Sequence, residues 1–155
     1  MNWEALGAIG ELLGAAAVVS TLAYLAVQVR QNSKGMKVAA KQEMTRQFSD
    51  YCDMLLSHDN LFEIHFNGTR NGDLSDSDRE RFNLLMLKAF WYFASMHYQH
   101  NAHSLDEDDW IQGRLMIKDY CRLRGVKEWW YEINARGFSP GFITFIESHW
   151  QEGDV

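Results

Sequence analysis

The run LLGAAAVVSTLAYLAVQV, residues 12–29, carries no charged side chain over 18 consecutive positions. As an α-helix rising about 1.5 Å per residue it reaches roughly 27 Å, close to the hydrocarbon thickness of a bilayer. So long an apolar surface must be covered by lipid, by protein or by a second copy of itself. Three readings compete for it. A secretory signal peptide opens on a basic segment, whereas this chain opens Met1-Asn2-Trp3-Glu4 and places its positive charge after the run. A core helix of a soluble domain is the second, since the length only just enters the membrane range. The preferred reading is the third, a retained transmembrane helix over residues 1–31. Extending it back to Leu6 adds nearly two turns and takes in Glu11.

Charge sets the orientation. Arg30, Lys34, Lys37, Lys41 and Arg46 face a single Glu43 across residues 30–46, a local net charge of +4. Lys and Arg beside a span mark its cytoplasmic side, and anionic headgroups attract them. The chain is therefore expected in the bacterial inner membrane, with its N-terminus outside and its C-terminal domain in the cytoplasm. Arg30, Lys34, Lys37 and Lys41 are the expected lipid-headgroup contacts. From residue 47 onward ten basic residues meet eighteen acidic ones, a net charge of −8. A domain that acidic is a poor partner for phosphate backbones, so nucleic-acid binding is not expected.

The span has internal order. Steps of three and four residues give Glu4, Gly7, Glu11, Gly14, Val18, Thr21, Leu25 and Gln28, a line that continues to Asn32. Apart from Gly10, Ser20 and the alanines, nearly all the small and polar residues of the span fall on this seam. Small residues let helices approach closely and a buried seam hides polar groups from lipid, so the line reads as a contact between copies. Gly10 and Gly14 add a GxxxG pair, itself a weak sign. Glu11 has two readings of equal standing: at headgroup level outside the span, or inside a bundle, lining a pore.

After the span the pattern is helical throughout. A juxtamembrane basic helix is expected over residues 32–57, with Met44, Phe48, Tyr51, Cys52 and Leu55 at helical spacing. It can run on from the span, since only Asn32, Ser33 and Gly35 interrupt. An acidic, aromatic-rich domain follows over residues 58–155. Its expected pieces are a short helix from Asp59 that stops at Gly68, a loop from Asn67 to Gly72, and a long helix opened by a Ser75–Asp78 capping box. That helix presents Phe82, Leu85, Met86, Ala89, Phe90, Phe93 and His97 on one face. The acids of LDEDDW suit the first turn of the next helix, where they meet its positive end, better than a catalytic cluster. That helix buries Trp110, Leu115, Ile117, Tyr120 and Cys121 and closes at Gly125. A short helix with Trp129 and Trp130, a break at Gly137 and a last helix capped by Ser139-Pro140 complete an all-α fold, a transmembrane helix followed by a cytosolic bundle of about five helices. Phe142, Ile143, Phe145, Ile146 and Trp150 form the apolar stripe of the last one.

Chemistry-bearing motifs are sparse. His97 and His100 share a helix face and could reach one metal ion with help from elsewhere, but among aromatic neighbours stacking is the plainer role, as it is for His103 near the helix end. Glu63 and His65 point apart, and Glu-x-x-His pairs are missing. Phosphate loop, dinucleotide glycines, nucleophile elbow and paired CxxC are missing too. No catalytic residue, metal ligand or cofactor is expected, and the chain is not read as an enzyme. Cys52 and Cys121 read as reduced, packed thiols.

The segments LGAIGELLGAAAVVSTLAYLAVQVRQNSK, AFWYFASMHYQHNAHSLDEDDW and EWWYEINARGFSPGFITFIES together resemble an uncharacterised bacterial family of small proteins with an N-terminal membrane anchor and a helical cytosolic domain. The resemblance implies that architecture and transfers no activity or catalytic residue. The expected function is a homo-oligomeric single-pass membrane protein, an ion-conducting pore with a cytosolic helical collar being its most specific form. The expected partners are other copies of the chain and membrane lipids. The alternatives are a membrane-tethered sensor that binds a ligand or protein partner, and a metal-dependent helical enzyme.

Overall fold

A computed structural model describes residues 2–133 and 137–151, with the side chains of Ala5 and Leu6 set aside. Six helices make up the described chain: α1 Trp3–Leu56, α2 Asp59–Thr69, α3 Asp76–Asn101, α4 Glu107–Cys121, α5 Arg124–Glu132 and α6 Pro140–Gln151. The described residues contain no strand. The all-α expectation holds, and the chain divides into two compact units at Ala39 and Ala40.

The first unit is one stretch of helix. No proline interrupts it, and Asn32, Ser33 and Gly35 stay helical, so the backbone runs unbroken through the expected boundary at residues 31 and 32. Ser20 and Thr21 donate back to the carbonyls of Ala16 and Ala17 at 2.8 and 2.9 Å, which satisfies both hydroxyls within the helix itself. The apolar window of this helix has 0% of its residues buried within the chain, and Leu12 is 73% exposed. By length and composition it is able to cross a membrane.

The second unit begins inside α1, so residues 40–56 group with the helical domain. Its core is built on α3, which buries Phe82, Leu85, Met86, Ala89, Phe90 and Phe93 as the sequence spacing required, with Met96 fully enclosed and His97 only half-buried. Ser75 caps α3: its Oγ accepts from the Asp78 N–H at 3.2 Å and donates to the Asp78 carboxylate at 2.7 Å. Trp110, Trp129, Trp130 and Trp150 are buried, whereas Trp3 and Trp91 are exposed. Phe90 lies 5.0 and 5.1 Å from the rings of Trp129 and Trp130, at the centre of the aromatic core.

Gly68 stands one residue before the end of α2, close to the expected stop, whereas Gly125 does not close α4, and the two glycines mark a crossing point. Gly68 lies within α2 and Gly125 within α5. A Cβ on Gly125 would strike the Gly68 carbonyl, and one on Gly68 would enter the Phe82 ring, so the two backbones meet where side chains have no room. Helix α4 already ends at Cys121. Leu115 is 55% exposed and not part of the core, because it sits roughly 140° around the helix from Trp110. Gly137 adopts φ +91°, a left-handed conformation suited to the expected break. Ser139 Oγ accepts from the Phe142 N–H at 3.4 Å, and α6 starts at Pro140 as its sequence required. Asn134, Ala135 and Arg136 of the resembling segment lie outside the described residues.

Candidate functional site

Two places stand out, one in each unit. Glu4, Gly7, Glu11, Gly14, Val18, Thr21, Leu25 and Gln28 all lie on α1, and all but the half-buried Gln28 are exposed. In a straight helix a seven-residue line drifts about 20° per heptad, so these positions span roughly a third of the circumference. A Cβ at Gly7, Gly10 or Gly14 would meet nothing within 4 Å, so nothing in the chain itself requires these glycines. Gln28 Nε2 donates to the Tyr24 hydroxyl at 3.1 Å, which pairs two polar groups along the helix.

Of the basic residues, Lys41 has a specific partner. Its Nζ lies 2.7 Å from Asp109 at the start of α4, and that carboxylate raises the Lys41 pKa. Asp109, one of the acids read as helix-end charge, thus also holds α1 to α4. Arg46 bridges Glu43 and Asp50 at 2.5 and 2.8 Å, and its guanidinium holds the Glu43 carboxyl down at about 2. Arg30 and Lys34 are exposed.

His97 and His100 are occupied by rings. His100 stacks on Trp110 at 4.3 Å with 9° between planes, and His97 stacks on Phe145 at 4.9 Å. His103 has φ +56° in the turn after α3. Among the described residues no group of three or more His, Cys, Asp or Glu side chains gathers where a metal ion could bind. His65 Nε2 lies 2.7 Å from the Tyr120 hydroxyl, and burial lowers its pKa. Cys52 and Cys121 are free thiols, and burial pushes the Cys121 thiol up to about 12, which makes it a poor nucleophile.

The second place was not visible in the sequence. Residues 40–56 of α1 stand off from α3 and α4 around two adjoining cavities of about 370 and 230 Å³ that share Phe48, Tyr92 and Met116. The larger opens beside the Lys41–Asp109 pair. The smaller is an apolar slot that reaches Tyr51, Phe93 and Tyr120, with Lys88 at its edge. Its spacing puts Tyr51 on an apolar stripe. Whether two such stripes close together or leave a gap depends on helix separation, which spacing does not encode.

No family model matches the chain, and neither a curated protein nor a solved structure matches it.

Proposed function

We propose that the chain is a single-pass protein of the bacterial inner membrane that assembles with copies of itself along the α1 seam and carries its acidic helical domain on the cytosolic side. One observation supports this above the others: the apolar window of α1 has no cover within the chain. Lipid supplies that cover for the Leu and Val surface. It does not suit Glu11, Thr21 or the glycines, which gain from a neighbouring helix. The basic residues that follow the span favour the cytosolic side for the C-terminal domain.

The test is the oligomer size of the full chain in lipid nanodiscs or mild detergent. Gly14→Leu should dissociate the assembly, because a branched side chain on the seam pushes the helices apart. Leu at the off-seam Ala16 should leave it intact. A monomeric wild-type chain, or an oligomer indifferent to Gly14→Leu, would overturn the proposal. The cavities beside α1 favour a second reading, a membrane-tethered module that binds a ligand.

A further inference from the structure

We infer that the slot between α1, α3 and α4 binds a small apolar molecule that ends in a carboxylate. The inference does not depend on the membrane reading, since every residue it uses lies in the second unit. The slot's volume of about 230 Å³ belongs to a wall made of Phe48, Tyr92, Phe93, Met116 and the rings of two tyrosines. A single water needs only ~10–15 Å³, yet water finds few partners on such a surface. Close-packed interiors rarely leave gaps of this size, because the lining atoms lose their dispersion contacts. An apolar tail restores them.

Two donors define the head group. The Tyr51 hydroxyl is buried beside the Tyr120 hydroxyl and finds no well-aligned hydrogen bond there. Its neighbour, the Tyr120 hydroxyl, is already engaged by His65 Nε2 at 2.7 Å and by Met86 Sδ at 3.6 Å. A buried phenol without an acceptor is costly, and an incoming oxygen removes that cost. Lys88 is exposed at the rim, where its ammonium meets the Met54 thioether at 3.9 Å, and no carboxylate pairs with it among the described residues. Sulfur is a weak acceptor for a group with three N–H donors. Met54 stands about one helical turn from Tyr51 on α1, and Lys88 and Tyr51 both line the slot. A carboxylate accepts from both, and its charge answers that of Lys88. Neutral apolar molecules satisfy the wall but gain nothing from the Lys88 charge.

Octanoate is the probe, titrated into the full chain in nanodiscs with ¹³C-labelled methionine methyl groups; empty nanodiscs give the partitioning background. Met116 supplies the signal, assigned by its loss in Met116→Leu. The Met116 methyl resonance should shift saturably, with octanoate binding about tenfold tighter than octanol, as one charge-assisted hydrogen bond allows. Lys88→Gln should erase that preference, and Tyr51→Phe should weaken octanoate several-fold while circular dichroism stays unchanged. An unmoved Met116 methyl overturns the inference. So does equal binding of octanol and octanoate to the wild-type chain, or a preference that survives Lys88→Gln.

Discussion

Glycine is the residue whose role the sequence hides best. Gly68, Gly113 and Gly125 carry no side chain to read, and a glycine near a helix end suggests a stop. At Gly125 the reason is the carbonyl of Gly68 on the facing helix, a rigid neighbour. At Gly113 it is the Met96 thioether, the movable end of a flexible side chain. Gly125→Ala should therefore cost about 1–3 kcal/mol or more, as overpacking does. Gly113→Ala should cost less, and thermal unfolding of the two variants gives the order. His65 makes a second case. Burial holds its pKa in the folded protein below the ordinary 6.5, so at pH values between the two the unfolded chain binds the extra proton. Stability from this source is complete above about 6.5 and falls as the pH drops through that window. His97, also lowered by burial and by nearby His100, adds to the same slope. His65→Gln should flatten the fall between pH 7 and 5 in a denaturant series without abolishing it; an unchanged slope would remove His65 as a cause.

Helices whose ends are written in side-chain chemistry were legible. Ser75 with Asp78, Ser139 with Pro140, and the aromatic face of α3 all follow from spacing and hydrogen-bonding capacity. Continuity was not. The unbroken backbone of α1 through Gly35 reflects the absence of any residue strong enough to stop it, since a lone glycine only weakens a helix by about 1 kcal/mol. The slot belongs with the unreadable part, because both of its walls are ordinary apolar stripes until they are set apart. For the seam of α1 the sharpest consequence is electrical. If copies enclose water, a ring of Glu11 carboxylates concentrates cations, and Glu11→Gln should change cation conductance across a reconstituted bilayer. A stable oligomer that passes no current would keep the assembly and remove the pore.

On the scale of the molecule, the uncovered surface of the first unit and the packed aromatic core of the second call for different surroundings. The chain should stay in the pellet when membranes are washed with alkaline carbonate, and a reporter fused after Val155 should be active in the cytosol and silent outside it. Release by carbonate would point to a peripheral or soluble protein, and periplasmic activity would reverse the orientation. The placement of the tryptophans has an optical consequence. Trp110, Trp129, Trp130 and Trp150 are shielded, while Trp91 is 55% and Trp3 71% exposed. Indole emission moves to the red in polar surroundings, so a water-soluble quencher should dim the red edge of the spectrum and spare the blue. Because Trp3 alone precedes residue 91, a chain with Trp91 replaced by Phe carries a single accessible emitter, next to the apolar run. Its colour then registers whether that end of α1 meets water, headgroups or a neighbouring helix.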